Sequence, residues 1–141
     1  MIGRVERVYI KDARFGTPGR MDTGAGVTSL GVEIIEMKKP KKEGDPERVV
    51  FRMLDEKADI QTLERDIIDW QQIKKKGGKG FIKRPVVLLD LCIAGKPIEA
   101  RVNLADRTHY LYPILIGRNT LKAGDFMVDP AQAFTHHAMC R

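Results

Sequence analysis

The run Pro85-Val86-Val87-Leu88-Leu89-Asp90-Leu91-Cys92-Ile93-Ala94 limits the folds open to this chain more than any other segment. It is far shorter than the ~20 residues of a membrane span, but long enough for a strand buried on both faces. Ala94-Gly95-Lys96-Pro97 reads as a turn, and Ile98 to Leu104 then alternates apolar and polar residues with period two. The pair predicts a β-hairpin. Further strands are expected at Val5 to Ile10, Gly26 to Ile35, Arg48 to Leu54 and Phe126 to Pro130, with a Lys/Pro/Gly/Asp turn cluster over 38–46. Arg118 to Ala123, ended by Gly124, reads as a short helix. In Asp59 to Ile73, the residues Ile60, Leu63, Ile67 and Ile68 fall near helical spacing, although the β-branched content argues against a helix. Many short strands and one C-terminal helix predict a mainly all-β, mostly antiparallel barrel.

With 141 residues the chain is expected to form a single domain over 1–141, the tail 136–141 disordered. The N-terminus alternates apolar and charged residues and has no apolar block, so it is not a signal peptide. The chain is therefore cytoplasmic, or an export segment has been removed; any membrane association would run through a segment outside these residues. The net charge of +6 resides largely in Lys38-Lys39-Pro40-Lys41-Lys42 and Lys74 to Lys79, which read as solvated loops. Few aromatics and no recognition motif argue against a nucleic-acid partner. Cys92 and Cys140 set up neither a disulfide framework nor a CxxC metal site.

Chemistry concentrates in Arg20-Met21-Asp22-Thr23-Gly24-Ala25-Gly26. An acid held in a tight loop, with a glycine that lets backbone N–H groups approach the carboxylate, suits activation of water. Asp, Thr and Gly are also ordinary turn residues, so the triplet alone does not decide. A second segment, Tyr112-Pro113-Ile114-Leu115-Ile116-Gly117-Arg118-Asn119-Thr120-Leu121, lies far downstream.

Asp22-Thr23-Gly24-Ala25, followed at a distance by Ile114-Leu115-Ile116-Gly117-Arg118-Asn119, resembles the two signatures of a retropepsin-like aspartic protease. Ile82-Lys83-Arg84-Pro85-Val86-Val87, Val102-Asn103-Leu104-Ala105-Asp106-Arg107 and Val128-Asp129-Pro130-Ala131 narrow the resemblance to the bacterial retropepsin-like family, over about residues 3 to 135. Members often bear the name ATP-dependent zinc protease. Nothing in the residues supports that name. No glycine-rich loop is followed by Lys-Ser or Lys-Thr for ATP, and no His-Glu-x-x-His is present for zinc. The histidines are His109, His136 and His137, and adjacent histidines on an extended chain point apart. No cofactor and no metal are expected.

The resemblance implies a single-lobe acid-protease barrel, a peptide or protein substrate, and a homodimer in which each chain supplies one catalytic Asp22. It also implies a location in the bacterial periplasm or envelope. Thr23 and Gly24 would brace and shape the loop. Ala25, Ile116 and a glycine-rich flap with Gly78, Gly80 and Phe81 would contact substrate; Gly117, Arg118 and Asn119 would support the loop. The flap also reads as a plain basic loop, whose lysines hint at acidic peptides. Where retroviral proteases place an acid that pairs with the arginine, this chain has Gly26, so Arg118 needs another partner: Asp106, Asp125, a carbonyl or substrate. The alternative function is a peptide-binding or regulatory module that kept the fold without turnover.

Overall fold

The computed structural model describes residues 1–54, 60–74, 77–106 and 112–140. Asp59, Lys76, Arg107 and His109, which figured in the sequence expectations, lie outside the described residues. The strands are β1 (Ile2–Ile10), β2 (Phe15–Met21), β3 (Thr28–Lys38), β4 (Arg48–Leu54), β5 (Ile60–Asp66), β6 (Asp69–Lys74), β7 (Phe81–Ile93), β8 (Lys96–Asp106), β9 (Ile114–Ile116) and β10 (Val128–Ala133). The one α-helix among the described residues, α1, spans Arg118–Ala123.

Six strands close into a ring in the order β1-β2-β9-β3-β8-β7, and pairing of β7 back onto β1 seals it. The expected hairpin forms the long β7–β8 ladder, from Val86↔Asn103 to Ile93↔Lys96. Three pairings are parallel: β1 with β10, β2 with β9, and β3 with β8. Inside the ring the period-two alternation delivers Val8, Ile10, Leu30, Val32, Leu89, Leu91, Val102, Leu104, Ile114 and Ile116 to one continuous core. β7 is not buried on both faces throughout, because Leu88 and Asp90 turn outward. Leu91 to Ile93 are wholly enclosed, and the C-terminal tail is bonded to Cys92 there.

The segment 60–74 forms two strands and no helix. β5 pairs with β4, setting Leu63 opposite Phe51, while Glu64 and Asp66 project outward into a ladder of Lys38–Glu64 (2.6 Å), Arg48–Glu64 (2.8 Å) and Arg48–Asp66 (2.7 Å). Partners across the sheet override a spacing that also suits a helix. A bulge between Ile34 and Glu36 lets β3 leave the ring and carry this β4–β5 hairpin.

One expectation about the tail is overturned: Cys140 is disulfide-bonded to Cys92, with Cα atoms 5.7 Å apart. The tail also meets β1. Glu6 is buried, and its carboxylate accepts hydrogen bonds from the Gly3 N–H (2.7 Å), the Thr135 N–H (2.9 Å), the Thr135 hydroxyl (2.6 Å) and the His136 N–H (3.4 Å). Burial alone would raise the Glu6 carboxyl; these donors outweigh it and hold it below its ordinary value.

Candidate active site

Asp22 follows the last residue of β2, at the point where β2 runs parallel to β9. Its N–H donates to the Ile116 carbonyl at 2.8 Å, continuing the ladder, and the Ala25 N–H then donates to the Asp22 carbonyl at 3.2 Å to close a turn. The turn brings the Gly24 N–H to 2.9 Å from Asp22 Oδ1. An ionised carboxylate there gains a charge-assisted bond and a fixed orientation. Asp22 is half-buried, with Thr23 and Gly24 exposed beside it.

The N-terminus of α1 holds the loop from behind. The Arg118 N–H donates to the Ala25 carbonyl (2.8 Å), and the Asn119 N–H to the Gly26 carbonyl (3.2 Å). Arg118 Nη1 donates to the Thr23 carbonyl at 3.0 Å. The arginine's partner is therefore a carbonyl. Asp106 is engaged elsewhere, accepting from the Ile34 N–H at 3.1 Å. A Cβ on Gly26 would stand 3.4 Å from Arg118 Nη2, so the guanidinium fills the space above that glycine. At Gly117 a Cβ would lie 2.3 Å from the Val27 carbonyl oxygen, and only glycine lets the two backbones cross.

Beneath the loop lies a buried polar hub that the sequence did not reveal. Thr28 Oγ1 accepts from the Gly117 N–H (3.1 Å), donates to Asn119 Oδ1 (2.9 Å) and shares a 2.6 Å hydrogen bond with Thr120 Oγ1. Both threonines are buried. Asn119 Nδ2 donates in turn to the Arg101 carbonyl of β8 (3.0 Å), and the Arg101 side chain pairs with Asp69 at the start of β6 (2.9 Å). The aspartate loop is thus wired through α1 to the strands that carry the glycine-rich hairpin.

Asp22 opens onto a cavity of about 690 Å³, walled by Arg4 and Val5 of β1, Arg20 of β2, Tyr112, and Val128 and Pro130 of β10. Among the described residues, no second acid lines it. Arg20 stands two residues before Asp22 on an extended strand, so both share a face; that alternation was the available signal for it. Arg4, Val128 and Pro130 arrive from the two ends of the chain through the β1–β10 pairing, and nothing local announces them.

The other expected residues fall in different places. Ile116, expected to touch substrate, is wholly buried in the core together with Ile114, and it supports the loop through its carbonyl. Ala25 sits half-buried in the loop. Gly78, Gly80 and Phe81 lie at the exposed end of the β6–β7 hairpin, with positive φ at Gly77, Gly78 and Gly80, and none of them lines the Asp22 cavity. Among the described residues, no group of three or more His, Cys, Asp or Glu side chains could hold a metal ion.

A family model described as the retropepsin-like aspartic endopeptidase RimB matches residues 1–138. The crystal structure of Lpg0085, a Legionella pneumophila protein of unknown function (DUF785), is similar at 30% identity and a TM-score of 0.76, covering 95% of each chain. No curated protein matches. With Asp22-Thr23-Gly24 held by Gly117-Arg118-Asn119 in a six-stranded barrel, and the family matched over nearly its whole length, the chain belongs to the RimB-like family of retropepsin-like aspartic endopeptidases.

Proposed function

We propose that the protein is an aspartic endopeptidase whose active site is completed by a second copy of the chain. The observation that carries this reading is the Asp22 carboxylate, oriented by the Gly24 N–H at the mouth of a cavity in a loop braced by α1. One chain offers one such carboxylate, and the reaction needs two. Two carboxyls in contact cannot both ionise, so one is protonated and one charged. The charged Asp22 takes a proton from water as the water oxygen attacks the peptide carbonyl carbon. The neutral Asp22 of the other copy donates its proton to the carbonyl oxygen, giving a tetrahedral gem-diol. Collapse of that species breaks the C–N bond as the newly protonated Asp22 gives its proton to the leaving amine and the other, now ionised, Asp22 takes a proton from a gem-diol hydroxyl, so both acids return to their starting states.

Arg4 and Arg20 give the approach to Asp22 positive charge, which favours peptides with acidic side chains. Asp22→Asn keeps an oxygen acceptor for the Gly24 N–H, so the fold is retained while the acid–base chemistry is lost. Peptide cleavage by the purified variant at the wild-type rate would refute the assignment. Because no other acid among the described residues lines the cavity of a single chain, a strictly monomeric protein would instead be a peptide-binding module. Sedimentation across a concentration series, paired with a binding assay, separates the two.

A further inference from the structure

We propose that the Cys92–Cys140 disulfide is a thiol–disulfide exchange site that latches the C-terminal strap, and that its redox state sets the order of the wall beside Asp22. The strap runs beside β1 from Ile2 to Glu6. Val128 and Asp129 pair with Ile2 and Gly3, and the Phe134 N–H donates to the Val5 carbonyl at 2.8 Å. Thr135 and His136 fill the stretch beside Glu6 between the end of β10 and the start of the β1–β7 pairing. The chain then reaches the β7–β8 turn, where the Gly95 N–H meets the Ala138 carbonyl at 3.4 Å, and ends in the bond from Cys140 to Cys92. Cys92 is the partner of Tyr9 in the three-residue ladder that closes the ring. One covalent bond therefore fixes the tail at the ladder that seals the barrel. The same continuous segment begins with Val128 and Pro130 in the Asp22 wall.

The two sulfurs differ in access. Cys92 is buried and Cys140 is half-buried, so an incoming thiolate reaches Cys140 Sγ first. The natural reductant is a dithiol. Its first thiolate bonds to Cys140 Sγ, the Cys92–Cys140 bond breaks, and Cys92 leaves as a thiolate that takes up a proton. The second thiolate of the reductant then attacks the reductant's own sulfur in the mixed disulfide and releases Cys140, which is protonated in turn. Two electrons and two protons pass to the protein, and the dithiol becomes a disulfide. Beyond His136 the described tail then retains the 3.4 Å contact at Gly95 as its one backbone hydrogen bond to the barrel.

The latch stands without the peptidase reading; what the wall encloses rests on that reading. The test is hydrogen exchange of the full chain, oxidised and after reduction by dithiothreitol, with Cys140→Ser as a permanently open form. Reduction and Cys140→Ser are expected to speed exchange at least tenfold in peptides covering 134–140, with a smaller increase through 128–133. Asp22→Asn, which has no peptidase role left to report, is expected to respond identically. Two free thiols per chain in oxidised, denatured protein would overturn the proposal, as would exchange at 134–140 indifferent to the disulfide. A change that stops at Phe134 would overturn the link to the wall. A missing peptidase activity alongside the predicted exchange would count against the Asp22 chemistry alone.

Discussion

Replacing Thr28 with valine keeps the shape of a buried β-branched side chain and removes one hydroxyl, at the point where β3, Gly117 and α1 meet. The Gly117 N–H loses its acceptor, and a buried orphan donor costs about 1–3 kcal/mol. Asn119 Oδ1 and Thr120 Oγ1 keep a 3.4 Å bond to each other but lose their shorter partner, which adds roughly 1 kcal/mol. The sum is about 3 kcal/mol. Unfolding 141 residues at about 2.1 cal/mol/K per residue makes the entropy roughly 0.3 kcal/mol/K, so Tm falls by about 10 °C. Thr28→Ser is the control: it keeps all three hydrogen bonds and gives up a methyl group. Urea denaturation of the three proteins, with m-values compared, reads the difference directly. If the valine variant is as stable as the serine variant, the hub does not hold the loop and the reasoning fails.

Gly117→Ala forces a methyl to within 2.3 Å of the Val27 carbonyl, backbone against backbone, and is expected to cost more than about 3 kcal/mol, read as loss of the cooperative unfolding transition. Arg118→Ala removes a partly solvated bond to the Thr23 carbonyl, so stability is expected to fall by only about 1 kcal/mol while kcat falls several-fold; an unchanged kcat would mean the arginine does not position Asp22. Glu6 titrates below its ordinary 4.5 in the folded protein, so the stability it supplies is complete above that value and is lost as pH falls through the lower, folded one. Denaturation at pH 7 and pH 3 is therefore expected to show Glu6→Gln clearly destabilised at the higher pH and the gap narrowed at the lower, whereas a pH-independent gap would show that the carboxylate's charge is not what binds Thr135.

The β7–β8 hairpin was legible because period two, a glycine turn and the apolar run all point the same way. β2 was not. Its residues Phe15-Gly16-Thr17-Pro18-Gly19-Arg20-Met21 carry two glycines and a proline, which usually argue against a strand. Gly19 is needed there because a Cβ would stand 2.8 Å from both the Ile114 and Val8 side chains. The aspartate loop could be read since its requirements are local: an acid, a glycine whose N–H reaches it, and a downstream glycine at which two backbones cross. Thr28 gave no sign, because a threonine in a β-rich stretch is unremarkable until its three partners converge. The Cys92–Cys140 pairing and the Arg4, Val128 and Pro130 wall were hidden for one reason. Each depends on the two chain ends meeting along β1, a long-range pairing that no local pattern encodes.

The central claim is that one active site takes Asp22 from each of two chains. The direct measurement adds Asp22→Asn chain to a fixed amount of wild-type chain, allows subunits to exchange, and follows peptide hydrolysis. If the site is shared, mixed dimers carry one acid and are silent, so the rate falls to about half at equal amounts and towards zero with excess variant. A rate that stays constant however much variant is added would contradict the account, and would place the whole of the chemistry within a single chain.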